Sequence, residues 1–184
     1  MSHLKNRCEA LAKANKGQGK SDEYEYIASL LSDLSPCNLL VFGLGNDSGL
    51  WLDINTKGKT IFIEHESNWV AHCNKMFPDI DVFIPKYTTK RKQWKTFLDK
   101  PEKLAISLPD RIKDCCWDII YIDGPQGGND NRPGRMQSIY SASKLKYKNV
   151  LAHDCDRKVE IVYFNLFIGK PTHIQNRIFH FKKP

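Results

Sequence analysis

The stretch Asn38-Leu39-Leu40-Val41-Phe42-Gly43-Leu44-Gly45-Asn46-Asp47-Ser48-Gly49 decides how the chain is read. A short apolar run flows directly into glycines, as a parallel strand covered on both faces does. Glycines at that point let backbone approach a ligand closely and tolerate positive φ. A helix-like stretch over 48–55 follows, so the unit reads strand, glycine turn, helix.

Working outward, Thr60–Ile63, Ile80–Ile84, Trp117–Ile122 and Asn149–Ala152 repeat the strand pattern, with helix-like stretches near 67–77, 89–100 and 134–146 between them. Alternation of this kind predicts an α/β fold with a mostly parallel, doubly wound sheet. A helix over Arg157–Phe167 comes next. Thr172–Gln175 and Arg177–Phe181 then lie so close that a C-terminal antiparallel hairpin is expected. That combination is the usual shape of Rossmann-like class I methyltransferases. Upstream, Ser21-Asp22-Glu23-Tyr24 opens a helix with Tyr26, Ile27, Leu30, Leu31 and Leu34 at helical spacing, closed by Pro36. Residues 8–20 end in a Gly/Lys/Gln stretch and read as a loose arm. The expected organisation is a flexible or accessory arm over 1–20 and a single methyltransferase domain over 21–184.

The glycine spacing is G-x-G-x-x-x-G, one residue off the dinucleotide pattern. Asp47 and Ser48 stand where a pyrophosphate would meet the helix N-terminus. A carboxylate is favoured there by the helix dipole but repels a phosphate. The loop therefore points to a cofactor without that group, such as S-adenosylmethionine, held by Gly43, Leu44, Gly45, Asn46, Asp47 and Ser48. Glu64, 19 residues beyond Gly45, is placed to hydrogen-bond ribose hydroxyls.

Asp123-Gly124-Pro125 ends the fourth strand and His153-Asp154 the fifth, and such strands are neighbours in the doubly wound order. Asp123, His153 and Asp154 should crowd one crevice beside the glycine loop, with Asp123 and Gly124 also touching the cofactor. Methyl transfer to a hydroxyl requires removal of its proton, and Asp123 is the leading general base, His153 the second. The same three residues also suit a divalent metal that acidifies a bound hydroxyl. An extended backbone would turn His153 and Asp154 to opposite sides. The polar, glycine-rich loop Gln126–Arg135 reads as a lid or acceptor-binding element, with Asp130, Arg135 and then Tyr140 as acceptor contacts.

These blocks carry a resemblance. Ser35–Ser48 is similar to the opening motif of the plant glucuronoxylan 4-O-methyltransferase and arabinogalactan O-methyltransferase family. Asp123-Gly124-Pro125 through Arg132-Pro133-Gly134-Arg135-Met136-Gln137-Ser138-Ile139-Tyr140 resembles its second block, and His153-Asp154-Cys155-Asp156-Arg157 its third. Gly58–Glu66 and Tyr87-Thr88-Thr89 match more weakly, and the likeness runs from about residue 22 to 182. It implies S-adenosylmethionine-dependent methylation of a sugar hydroxyl in a glycan or oligosaccharide acceptor. Cofactor contacts would fall on Gly43, Gly45, Asp47, Ser48 and Glu64, and catalytic or acceptor contacts on Asp123, His153 and Asp154. The chain departs from the family at Gly124, commonly Ala, and at Asn46, often His.

Composition sets the alternatives. The 184 residues include 28 Lys and Arg against 21 Asp and Glu, a net charge of +7. That balance invites a polyanion, and Lys86–Lys95 (KYTTKRKQWK) has five basic residues, no acid and two aromatics. A nucleic-acid methyltransferase is therefore one rival, although Asp123-Gly124-Pro125-Gln126 lacks the aromatic that base methylases place after the fourth strand. A non-catalytic binding module on the same fold is the other. Nine Phe, four Trp and seven Tyr exclude a disordered chain. The six Cys match neither a disulfide scaffold nor a zinc ribbon and read as reduced thiols. With no apolar region behind Met1 and no membrane-length apolar run, a soluble, cytoplasmic protein without signal peptide or anchor is expected.

Overall fold

The computed structural model describes residues 2–183. Two helices, α1 (Ser2–Ala14) and α2 (Ser21–Leu34), precede β1 (Asn38–Phe42), α3 (Ser48–Ile54), β2 (Lys59–Ile63), α4 (Ser67–Met76) and β3 (Val82–Phe83). Two 3-10 segments, Arg91–Phe97 and Pro101–Leu104, lead to α5 (Asp110–Lys113), β4 (Cys116–Ile122) and α6 (Met136–Ser143). The chain finishes with β5 (Lys146–Ala152), α7 (Lys158–Phe167), β6 (His173–Gln175) and β7 (Ile178–Lys182).

The sheet runs β3-β2-β1-β4-β5-β7-β6. Its first five strands are parallel, and β7 lies antiparallel between β5 and β6. This is the Rossmann-like α/β fold of class I methyltransferases, with the expected hairpin at its C-terminal edge. The strand order reverses beside β1, so a crevice opens past the carboxyl ends of β1, β2 and β4.

Alternate strand residues supply two cores, because successive side chains leave a strand on opposite faces. Leu40, Phe42, Ile61, Ile63, Ile120 and Ile122 pack with residues of α5, α6 and α7. Leu39, Val41, Phe62, Ile119, Tyr121 and Leu151 pack with α1, α2 and α3. Each fully buried aliphatic side chain contributes roughly 1.5–3 kcal/mol, which fixes the strand ends that carry the site.

Two expectations need correction. The first turns of the loose arm are helical instead. In α1, Cys8 is fully buried, and Leu4, Leu11 and Ala12 pack beside it on the core. Those four positions make an apolar stripe at helical spacing, hidden in sequence by the interspersed lysines and asparagine. The helix expected over 89–100 is a 3-10 segment. The Arg91 N–H donates to the Arg132 carbonyl (2.8 Å) and the Lys92 N–H to that of Asp130 (3.1 Å), pinning its start to the neighbouring loop. All six cysteines are free thiols, four of them buried. No helix among the described residues is long and apolar enough to cross a membrane.

Candidate active site

Hydrogen bonding continues one residue past the strands and aligns the site. Gly43 N–H donates to the Ile63 carbonyl (2.9 Å), Asp123 N–H to Phe42 (2.9 Å) and His153 N–H to Ile122 (3.0 Å). Gly43, at φ +116°, and Gly124 meet backbone to backbone. A Cβ on Gly124 would lie 2.8 Å from the Gly43 Cα, and one on Gly43 3.1 Å from the Gly124 nitrogen. Glycine at both positions lets the turns after β1 and β4 close on each other.

A cavity of about 370 Å³ opens there, within the usual range for small-molecule sites. Gly43, Leu44, Gly45, Asn46, Asp47 and Glu64 line one side of it. Asp123, Gly124, Arg135, His153 and Asp154 line the other. Glu64 is buried, and its carboxylate accepts from the Leu44 N–H (3.0 Å), the His65 N–H (2.6 Å) and the Glu66 N–H (2.7 Å). Burial alone would raise its pKa, but His65 and these backbone donors hold it below the ordinary value.

Three expected contacts lie elsewhere. Ser48 is buried beneath the turn, where its hydroxyl accepts from the Gly45 N–H (3.0 Å), so it shapes the loop without facing the cavity. Asp130 is exposed and paired with Arg91 at 2.6 Å. Tyr140 packs edge-on against Phe167, ring centres 5.2 Å apart, on a different face of the protein.

Arg135 is the hub of the second side. Its Nη2 donates to Asp123 Oδ1 and to Asp154 Oδ2, each at 2.8 Å, and to the Asp123 carbonyl at 2.6 Å. Its Nη1 donates to the His153 carbonyl. The side chain is only 4% exposed, so it serves as a structural cation more than as a free acceptor contact. Asp154 adopts φ 57°, a left-handed conformation that costs a non-glycine residue energy and clusters at functional sites. The backbone is thus not extended here, and His153 and Asp154 face the same cluster, with Nδ1 to Oδ1 at 3.5 Å. Asp154 also pairs with Arg157 (2.9 Å) and Arg177 (3.2 Å).

His153 lies between acids, with Nδ1 3.1 Å from Asp123 Oδ1 and Nε2 3.3 Å from Glu23 Oε2. Burial opposes its charge, but Asp123, Glu23 and Asp154 overcome that and lift its pKa to about 9. An imidazolium at neutral pH donates hydrogen bonds and takes no proton, so the environment does not suit His153 as a second base. Asp123 is held below the ordinary carboxylate value despite burial, by His153 and Arg135. Asp47 behaves oppositely. Burial first, and the Asp123 charge second, push its pKa from 3.8 up to about 6.

The expected metal set is spatially gathered, with one donor atom each from Asp123, His153 and Asp154 within 4.8 Å of one another. Its chemistry does not suit a divalent ion. Both imidazole nitrogens face carboxylates, and the two carboxylates are already compensated by Arg135, Arg157 and Arg177. A metal would have to displace a buried guanidinium and strip the imidazolium of a proton.

Several lining residues escape sequence reasoning. Asn15, Gly17 and Gln18 from the α1–α2 connection, together with Tyr24, cover one rim of the cavity. Asn46 Nδ2 donates to Asn15 Oδ1 (2.7 Å), and Arg177 donates to the Gln18 carbonyl. Glu23 accepts from the Lys20 N–H (2.8 Å), the cap role its position suggests, yet it also binds Arg177 Nε (3.1 Å) and Nη2 (3.0 Å). Burial would raise the Glu23 pKa, but His153 and Arg177 hold it far below the carboxylate range.

Comparison with known proteins places the chain in a family. A profile of the family described as IRX15/IRX15L/GXM matches residues 22–106 and 99–181. The chain belongs to that family. It is 34% identical over 188 residues to glucuronoxylan 4-O-methyltransferase 2 of Arabidopsis thaliana, covering 89% of this chain and 65% of that protein. It is 30% identical over 196 residues to arabinogalactan O-methyltransferase 2 of the same plant, covering 91% and 67%. The first of these relatives is therefore longer than the family member described here, which spans 65% of it. Among solved structures, a proposed RNA methyltransferase of Pyrococcus horikoshii superposes with a TM-score of 0.58 at 15% identity, covering 100% of this chain and 99% of that one. At that identity the likeness concerns the fold.

Proposed function

We propose that this family member is an S-adenosylmethionine-dependent O-methyltransferase whose acceptor is a sugar hydroxyl of a glycan. The observation that carries this reading is the convergence of the glycine turn, Glu64 and Asp123 on one cavity at the carboxyl edge of β1, β2 and β4. The names of the relatives, polysaccharide methyltransferases of plants, support the acceptor class.

The residues present fit the cofactor. The turn at Gly43–Gly45 offers close backbone approach, Glu64 a carboxylate for ribose hydroxyls, and Asp47 a half-buried carboxylate lining the cavity. Bound S-adenosylmethionine supplies an electrophilic methyl group on a cationic sulfonium. Asp47, facing the same cavity as Glu64 and Asp123, then offers negative charge to that sulfonium. Arg135 and His153 hold the Asp123 carboxylate by two bonds to Oδ1, and its side chain remains 34% exposed to the cavity. Asp123 orients the acceptor hydroxyl and takes its proton as the new carbon–oxygen bond makes that proton acidic. A carboxylate of lowered pKa is a weak base, so this transfer comes late. Arg135, Glu23 and Arg177 position the cluster.

Asp123→Asn tests the assignment. Turnover on a glycan acceptor should fall roughly 10²–10⁴-fold with cofactor affinity within a few fold. Turnover retained within a few fold would remove Asp123 from the reaction. Unmeasurable transfer to every glycan by the unaltered chain, with normal cofactor binding, would favour the binding-module reading.

A further inference from the structure

The basic stretch 86–95 takes no part in lining the cavity, yet it is built against the loop that does. Besides the two backbone bonds from Arg91 and Lys92, the Thr89 hydroxyl donates to the Pro133 carbonyl (2.9 Å). The same loop presents Gln126, Gly127 and Gly128 to the cavity. Beside that loop Arg157 also lines the cavity, its Nη1 3.3 Å from where a Cβ on Gly127 would stand, and the next residue, Lys158, brings its Nζ 5.9 Å from the Trp94 ring. Lys95 Nζ lies 5.6 Å from that ring. The Tyr163 hydroxyl donates to the Trp94 carbonyl at 2.6 Å, tying the 3-10 segment to α7. Arg157, Lys158, Trp94 and Lys95 thus follow one another outward from the cavity mouth.

Charge along this path is unevenly compensated. Arg91 is paired with Asp130, Arg132 with Glu66, and Arg157 with Asp154. Lys90, Lys92, Lys95 and Lys158 are exposed, and none has an ion-pair partner among the described residues. The cavity itself is rimmed by acids, Asp47, Glu64, Glu66 and Asp123. An uncompensated cationic path therefore begins where an acidic pocket ends.

We propose that this path, Lys95 and Lys158 flanking Trp94 with Lys90 and Lys92 exposed on the same basic segment, is a docking surface for a carboxylate-bearing polysaccharide. One sugar of the chain enters the cavity, and its neighbours lie along the lysines. The half-buried Trp94 offers one apolar ring for a sugar face, and the separated ammonium groups suit carboxylates spaced along a chain. A track for single-stranded nucleic acid strings several aromatics together, and here there is one. The identity of the sugar entering the cavity rests on the function proposed above; binding along the lysines does not.

Binding is therefore measured apart from turnover. The probes are a hexagalacturonate, a neutral xylohexaose and a hexauridylate, titrated calorimetrically against the full chain and against K90Q/K95Q/K158Q. Hexagalacturonate should bind at least about tenfold more tightly than xylohexaose, and its affinity should fall as ionic strength rises from about 0.05 to about 0.5 M. The triple variant should lose at least about tenfold in affinity for hexagalacturonate, with S-adenosylmethionine affinity and unfolding midpoint unchanged. Equal binding by variant and parent, or no binding of hexagalacturonate by either, overturns the proposal. Tighter binding of hexauridylate, lost in the variant, would also overturn it and make the surface one for nucleic acid. Failure of methyl transfer with these results intact would fall on the proposed function and leave the docking surface standing.

Discussion

Asp47 should carry a stability cost that function explains. Its carboxyl is displaced from 3.8 to about 6, first by burial and then by the Asp123 charge. A displacement of about two units corresponds to roughly 3 kcal/mol between the two protonation states. Between these values the folded chain keeps a proton that the unfolded chain has lost. The contribution to stability is therefore full below pH 3.8 and disappears as the pH rises through about 6. Asp47→Asn cannot ionise and keeps the side-chain size. Free of ligand, it should be more stable than the parent by up to about 3 kcal/mol at pH 7.5, with the difference gone near pH 4. The same substitution removes the anion facing the cationic cofactor, so S-adenosylmethionine should bind at least about tenfold more weakly. Urea unfolding of both chains from pH 4 to 8, with calorimetric titration of the cofactor at pH 7.5, measures the two effects. A variant no more stable than the parent at pH 7.5, or one whose gain is as large at pH 4, would refute the reasoning.

Other changes probe the charge cluster. Arg135→Ala leaves Asp123 and Asp154 facing one another without their shared cation and should cost roughly 3–5 kcal/mol in urea unfolding, with Arg135→Lys recovering only part. His153 is raised from 6.5 to about 9, so its contribution to stability is full below pH 6.5 and is lost as the pH climbs through 9. His153→Gln should therefore be less stable than the parent at pH 6, and the gap should shrink by pH 10 in the same unfolding assay.

The strands and their order were legible because parallel strands buried on both faces leave apolar runs such as Asn38–Phe42 and Trp117–Ile122. Once that order is known, Glu64, Asp123, His153 and Asp154 must gather at the carboxyl edge, and they do. Arg135 is harder to read. In a polar, glycine-rich loop an arginine resembles a solvated side chain, and only the fold shows it buried between two carboxylates. Glu23 sits where a helix cap is expected and fills that role. Its partners His153 and Arg177 are 130 and 154 residues away, a relation no local pattern encodes. Asp130 and Tyr140 shared the right loop and helix but face other neighbours, because proximity in sequence does not set which way a side chain points.

The central claim is transfer of a methyl group to a sugar hydroxyl. Its most direct measurement incubates the chain with methyl-labelled S-adenosylmethionine and a panel of neutral and uronate-bearing oligosaccharides, then treats the products with mild alkali. A methyl ether survives that treatment and a methyl ester does not. Label retained on an oligosaccharide after alkali is the predicted result. Label released by alkali, or incorporated only into RNA offered in parallel, would contradict the account.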